Sequence, residues 1–362
     1  MKNRKKALFF LQAGVGGAER MTVLIGKLLD PRKFEVKFYP VQHGDTASAI
    51  TNFVPSEYET KVLPSASPFQ RMKQFYRILK NEKPDVVFSS VLYINNKILP
   101  LRLLFPSIKF IIRCENYLYT FSKKQKAMMR FSYRMADYII AQTEEMRQEL
   151  VAQLRISANK VFTLQNPIDC QTIEQKMNGV ASPYPLNGKK HFVASGRFAY
   201  QKGFDILVNA FAKVAEKRND VDLYIIGSKD KGNEAEYERV WGIVEDLGLQ
   251  NVVHCEGFQN NPYPYVHFAD CFVLSSRWEG LPNVLIEALY LGTPAAALKC
   301  IPVVERIITD GKDGFLAEKE NVDSLAEAMC KAIDMGRIES SYQSSTPEEF
   351  TQLFELATGI VS

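Results

Sequence analysis

The sequence predicts an α/β protein of two domains, each a doubly wound parallel sheet. Its 362 residues exceed the length at which a single hydrophobic core stops growing, so two domains are expected. Short apolar runs alternate with helix-period segments along the whole chain, the pattern of repeated βα units and a parallel sheet. One such run, Cys271-Phe-Val-Leu274, is apolar at every position, as a strand covered on both faces must be.

In chain order, Lys6–Leu11 reads as the first strand and leads into Gly14-Val-Gly-Gly-Ala-Glu-Arg20 and a helix to about Leu29. Glycines between strand and helix let the backbone approach a ligand closely, although the spacing is not the dinucleotide fingerprint. Strands are expected near Val36–Tyr39, Val86–Phe88, Phe110–Ile112, Tyr138–Ala141 and Val161–Leu164, closing a domain over residues 1–172. Ser-Pro-Tyr-Pro and Asn-Gly mark residues 173–189 as a linker. A second domain, 190–340, has strands at Phe192–Ala194, Leu223–Ile226, Val252–His254, Cys271–Leu274 and Ala295–Leu298, and a helix near Val322–Ala332. Residues 341–362 carry a last helix near Pro347–Ala357.

Composition is that of a soluble globular protein, with no apolar run near the roughly 18 residues of a membrane span and no signal-peptide h-region after Met1. Six scattered cysteines, at 114, 170, 255, 271, 300 and 330, lack paired spacing, which argues for a reducing cytoplasm. The overall charge of +4 hides an asymmetry: residues 1–172 hold 27 Lys/Arg against 14 Asp/Glu, a net of +13, and the remainder a net of −9. A basic half suggests polyanionic company. Two segments concentrate it. Lys97–Phe105 is apolar with cationic punctuation, and Lys123–Arg134 interleaves Lys123, Lys124, Lys126, Arg130 and Arg134 with Met and aromatic residues. They read either as helices with a solvated cationic side or as a docking face for anionic lipid.

The stretch Ser275-Ser-Arg-Trp-Glu-Gly-Leu-Pro-Asn-Val-Leu-Ile-Glu287 follows the apolar Cys271–Leu274 run. Pro282 suits a first helical turn, and Val284, Leu285, Ala288 and Leu289 repeat at helical spacing as a core face. Asn283 and Glu287, four apart, share another face, while Glu279 lies in the loop above the helix N-terminus. Such a corner favours a diphosphate, and the two carboxylates would sooner meet hydroxyls of a sugar or ribose.

These residues resemble the donor-binding motif of retaining GT-B glycosyltransferases of the family 4 type, with a second glutamate eight positions after the first. Companion motifs follow in order. Gly16 and Gly17 in Gly-Gly-Ala-Glu-Arg resemble the N-terminal loop, and Gln165-Asn-Pro-Ile-Asp169 the segment ending the first domain. Ser195-Gly-Arg-Phe-Ala-Tyr-Gln-Lys202 carries Gly196 and an Arg/Lys pair at the family's spacing. The resemblance implies two Rossmann-like domains facing a cleft, with the last helix crossing back to the first. It implies transfer of a hexose or N-acetylhexosamine from a nucleotide sugar, with retention of configuration. Arg197 and Lys202 would hold and stabilise the departing diphosphate, and Glu279 would orient the donor sugar; these three are the expected catalytic residues. Gly16, Gly17, Gly196, Phe258, Gly280, Leu281, Asn283, Val284 and Glu287 would line the donor site, Phe258 at the base and Glu287 at the ribose.

No cofactor and no metal are implied, the donor being a UDP-sugar held by cations. Asp220-Val-Asp222 has the form of a metal-binding motif but precedes a strand, at the end of the sheet away from the ligand crevice. His43, His191, His254 and His267 show neither metal spacing nor a partnered nucleophile. Arg113-Cys-Glu-Asn116 departs from the family, many of whose members carry a histidine near here; Glu115 and Asn116 stand instead as candidates for contact with sugar or acceptor. The basic first half suits a polyprenyl-diphosphate-linked saccharide acceptor at the inner membrane face, as in bacterial surface polysaccharide or glycan assembly, and no nucleic acid. The alternatives are a non-catalytic nucleotide or saccharide binder of this fold and a sugar-nucleotide epimerase.

Overall fold

The computed structural model describes residues 4–14, 16–42, 53–228 and 234–360. Val15 of the glycine turn, His43 and Met1 lie outside the described residues. The strands form two separate sheets. β1 (Lys5–Gln12), β2 (Phe34–Val41), β3 (Glu59–Thr60), β4 (Val86–Ser89), β5 (Lys109–Arg113), β6 (Tyr138–Ala141) and β7 (Val161–Thr163) build the first, in the order β3-β2-β1-β4-β5-β6-β7. The second holds β8 (Lys190–Ser195), β9 (Val221–Ile226), β10 (Val253–Gly257), β11 (Cys271–Leu274), β12 (Ala295–Leu298) and β13 (Gly314–Ala317), ordered β10-β9-β8-β11-β12-β13. Every pairing is parallel. In each sheet the chain winds outward from the first strand, returns to its other side, and winds outward again. The reversals fall between β1 and β4 and between β8 and β11, and in open parallel sheets such a reversal, at the carboxyl ends of the strands, is where ligands bind.

The units are not divided as the linker signals suggest. One comprises Met1–Pro167 with Ser344–Ser362, the other Ile168–Gln343. Residues 173–189 belong to the second and are not a free tether. They continue a helix, Cys170–Met177, whose N-terminus Asp169 caps by accepting from Thr172 N at 3.2 Å. Ile173 is buried, and buried Tyr184 stacks on His191 with ring centroids 4.2 Å apart. Two apolar anchors outweigh the turn chemistry of Pro, Ser and Gly. β3 had no sequence signal, since two residues are too few for periodicity. Lys97–Phe105 is not one helix: Leu92–Ile98 is α-helical and Leu99–Leu103 continues as a 3₁₀ turn, where Pro100 has no N–H to donate.

The final helix, Pro347–Thr358, packs into the core of the first unit. A full capping box starts it, Thr346 with Glu349. Phe354 is buried against Phe9, Phe34 and Phe88 at centroid distances of 5.7, 6.1 and 5.8 Å. Lys33 pairs with Glu355 on the same helix. Phe354→Ala should therefore cost about 3–5 kcal/mol in the first unit. Urea unfolding followed separately in each unit should show one transition moved to lower denaturant and the other unmoved.

Candidate functional site

In the second unit the loops after β8 and β11 leave from opposite sides of the reversal and close against each other. Gly203 makes this possible. Its φ is +62°, and a Cβ there would lie 2.1 Å from the Ser275 carbonyl oxygen. Ser275 Oγ donates to the Lys202 carbonyl at 2.9 Å, Arg277 N to Gln201 O at 2.8 Å, and Gln201 Nε2 to Trp278 O at 2.9 Å. Gly196 lies beneath the Lys202 stem, where a Cβ would come within 3.0 Å of its Cε.

Stitching the loops brings Lys202 and Glu279 together. Lys202 Nζ donates to Glu279 Oε1 at 2.7 Å, and Ser276 Oγ donates to the same oxygen at 2.7 Å. Glu279 is only 7% exposed, and its Oε2 accepts no hydrogen bond from any described residue. One carboxylate oxygen is therefore fixed and the other left for a ligand. Arg197 is exposed and makes no hydrogen bond or ion pair among the described residues. Lys202 is thus paired with Glu279, while Arg197 stays unpaired among the described residues in the same loop after β8. Cys300 lies close by: burial foremost, then the Glu279 charge, pushes its thiol up to about 12, so it stays neutral.

Sequence reasoning missed the partner that holds the β11 loop. Arg277 is buried, makes a two-pronged ion pair with Asp205 at 2.9 and 2.6 Å, and stacks over Tyr200 at 3.9 Å. The available signal was Asp205, an acid in the first turn of the helix Phe204–Ala215.

Gly280 and Leu281 are buried at the entrance to the helix Asn283–Tyr290, with Pro282 at its N-cap position and not inside its first turn. Leu285, Ile286, Ala288 and Leu289 form its buried face, while Val284, Asn283 and Glu287 are half-buried. Phe258, directly after β10, is 52% exposed, leaving an aromatic face for stacking.

In the first unit, Gly16 is the N-cap of the helix Gly17–Leu28, with Glu19 folded over it; a Cβ on Gly16 would lie 2.4 Å from Glu19 Oε2. Glu115 and Asn116 are half-buried just past β5. Buried Arg113 donates to Asn166 Oδ1 at 2.5 Å, and Asn166 Nδ2 to Gln142 Oε1 at 3.0 Å, a network that joins two segments the sequence singled out through a glutamine that it did not. Lys123, Lys124, Arg130 and Arg134 are exposed and Lys126 half-buried on and after the helix Lys123–Ser132. Phe131 in the same helix is 67% exposed, and Leu103 at the end of the 3₁₀ segment Leu99–Leu103 is 74% exposed. A further exposed set on the helix Pro68–Glu82, Phe69, Met72 and Tyr76, escaped the sequence reading. Tyr76 meets Phe105 at 5.5 Å, and Ser132 Oγ donates to Asn96 Oδ1 at 2.6 Å, so the three helical segments share one region. Among the described residues no helix is long and apolar enough to cross a membrane.

Asp220 and Asp222 spend their carboxylates on Arg218 and Lys189, each at 2.7 Å, at the amino end of β9. His191 and His254 stack on tyrosines, and His267 Nδ1 meets Leu291 O at 3.1 Å.

Comparison with known proteins agrees with the geometry. Residues 15–172 match the model of Glycosyltransferase Family 4, and residues 182–346 that of Glycosyl transferases group 1. The chain belongs to this glycosyltransferase family and has its GT-B fold of two Rossmann-like domains. It is 31% identical over 255 residues to an uncharacterized glycosyltransferase of Methanocaldococcus jannaschii, covering 66% of this chain and 62% of that one. It is 24% identical over 357 residues to the N-acetylgalactosamine-N,N'-diacetylbacillosaminyl-diphospho-undecaprenol 4-alpha-N-acetylgalactosaminyltransferase of Campylobacter jejuni, covering 94% and 93%. Anabaena HepE, solved in complex with UDP and glucose, superposes with a TM-score of 0.77 at 17% identity, over 99% of this chain and all of that one.

The crowding at Gly203 yields a test of the stitched loops. Gly203→Ala places a Cβ against a backbone carbonyl at positive φ and should destabilise the second unit by at least about 2 kcal/mol. Denaturant titration should register that loss, with the Lys202–Glu279 pair disrupted in the folded fraction.

Proposed function

We propose that the protein is a retaining, metal-independent glycosyltransferase. It moves a hexose or N-acetylhexosamine from a UDP-sugar to a polyprenyl-diphosphate-linked saccharide, in bacterial surface polysaccharide or glycan synthesis. The observation that carries the proposal is in the second unit: Glu279 has one oxygen fixed by Lys202 and Ser276 and the other without a hydrogen bond from any described residue, and Arg197, in the loop that carries Lys202, is unpaired among the described residues. The diphospho-undecaprenol acceptor in the Campylobacter relative's name and the UDP and glucose held by HepE support the substrate classes.

In this reading Arg197 takes the donor diphosphate, and Lys202 shares its charge between that anion and Glu279. Both cations stabilise the negative charge that grows as the bond from C1 to the diphosphate oxygen breaks. The acceptor oxygen bonds to C1 on the same face, and its proton passes to the departing phosphate oxygen. Glu279 Oε2 orients the sugar hydroxyls, Glu287 the ribose diol, and Phe258 stacks on the base. Asn283 and Val284, with Gly280 and Leu281, frame the helix N-terminus toward the diphosphate.

Screening UDP-sugars against lipid-linked acceptors tests this. Transfer should persist in EDTA; transfer that vanished there and returned with manganese would end the metal-independent reading. Glu287→Ala should weaken UDP binding by roughly 10- to 150-fold through a lost charged hydrogen bond, whereas Glu279→Ala should chiefly lower turnover. Unchanged UDP affinity in Glu287→Ala would remove the ribose assignment.

The first unit is proposed to dock on the anionic inner leaflet through the basic segment and its exposed apolar neighbours. Exposed Phe131 on the basic helix, with exposed Leu103 and Phe69 on the helical segments that share its region, favours lipid over a merely solvated cationic face. Each cation near such a surface contributes about 1 kcal/mol before screening. Reversing Lys123, Lys124 and Arg130 to glutamate should abolish co-sedimentation with anionic liposomes at low salt and spare transfer to a soluble acceptor. Equal binding of the wild type to neutral and anionic liposomes would remove the membrane reading alone.

A further inference from the structure

The first unit holds a buried charge with no ion-pair partner among the described residues. Arg113, 2% exposed at the end of β5, has one hydrogen bond, from Nη2 to Asn166; its Nε and Nη1 have no partner, and it forms no ion pair among the described residues. Withdrawing an unpaired guanidinium from water is costly unless the site uses it. Two residues on, Glu115 Oε1 is buried without a partner, and Oε2 bonds to no described residue either.

The backbone here is nonetheless pinned. Gln142 Nε2 donates to the carbonyls of Cys114 and Glu115 at 3.0 and 2.6 Å, and Asn166 holds Gln142 in turn. A fixed main chain with an unbonded carboxyl over a buried cation is a built site. It stands at the carboxyl end of the sheet, two strands from β1.

The charged and titratable groups facing Glu115 are Arg113 and Cys114 from its own strand end, Glu19 from the N-terminal helix, and Tyr133 from the turn after the basic helix. Burial, opposed by Arg113 and reinforced by Glu19, raises the Glu115 carboxyl to about 8. Burial draws Arg113 down to about 10, so it stays charged while Glu115 titrates. At neutral pH the carboxyl therefore keeps its proton and can donate a hydrogen bond. Glu19 offsets part of the Arg113 charge, and a protonated Glu115 carboxyl can donate to the oxygen of a hydroxyl.

We propose that Glu115 is the acceptor-binding residue of the first unit, its carboxyl O–H donating to an oxygen of the saccharide acceptor, with Arg113 as the positioning residue beneath it. The identity of the ligand rests on the transferase reading above. The role is that of a donor, not a base, so it leaves the acceptor proton to the departing phosphate.

The test uses the full chain without donor and a panel of methyl glycosides of glucose, galactose, N-acetylglucosamine and N-acetylgalactosamine, observed by ligand NMR. Wild-type binding at pH 7 should weaken at least about fivefold by pH 9, as a carboxylate replaces the donor. Glu115→Gln, whose amide still donates, should bind at both pH values; Glu115→Ala should bind at neither. Arg113→Met should move the wild-type midpoint to higher pH, with Arg113→Gln as the second variant should the first misfold, and an unmoved midpoint removes Arg113 from the proposal. The inference is overturned if no glycoside binds the wild type, if binding strengthens toward pH 9, or if Glu115→Gln behaves as Glu115→Ala does. UDP affinity measured on the same proteins should stay within about twofold across the Glu115 variants. A wild type that binds glycosides but no UDP-sugar would sink the donor reading and leave the Glu115 result to stand on its own.

Discussion

The constraint on which the structure depends is the single reversal of strand order in each parallel sheet. A parallel strand pair needs a crossover, and helices on both faces bury both sides of the central strands, which is why Ala7–Leu11 and Phe192–Ala194 are buried throughout. Where winding changes direction, neighbouring strands send their loops to opposite faces, and backbone groups at the strand ends are left without a covering helix. In the second unit this gap receives the loops carrying Arg197, Lys202 and Glu279. Its closeness is bought with glycine: Gly203 sits against the Ser275 carbonyl, and a Cβ on Gly227 would lie 2.0 Å from the Gly196 carbonyl oxygen.

The two units handle charge differently at their crevices. The second pairs its buried charges, Lys202 with Glu279 and Arg277 with Asp205, and leaves Arg197 in solvent. Buried pairs of good geometry fix the loops in one arrangement, and the exposed cation is cheap to keep hydrated until an anion arrives. The first unit instead leaves Arg113 and Glu115 apart, each with unbonded atoms, on a backbone held by Gln142 and Asn166.

Much of the fold was legible because its signals are local. Continuous apolar runs bounded by Gly and Pro located nearly every strand, and the motif from Ser275 to Glu287 placed a loop and a helix start within a residue or so. The failures have local causes too. β3 is too short to show a period, Pro100 turned an apolar helical pattern into a 3₁₀ segment, and residues 173–189 carry turn residues around two apolar anchors, Ile173 and Tyr184, whose burial attaches them to the second unit. The exposed Phe69, Met72 and Tyr76 went unnoticed because their spacing on a capped helix reads equally well as a core face.

What the sequence determined by itself was the set of chemical groups and their order along the chain: two doubly wound sheets, a cation pair after β8, two glutamates around the helix that follows β11, and a basic first half. Tertiary structure decided which of those groups are spent on each other. Lys202 meets Glu279 across 77 positions of sequence, Arg277 meets Asp205 across 72, and Arg113 forms no ion pair among the described residues. Pairing and burial are properties of distance in space, so the open oxygen of Glu279, the free charge of Arg197 and the raised carboxyl of Glu115 arise only once the sheets bring their loops together.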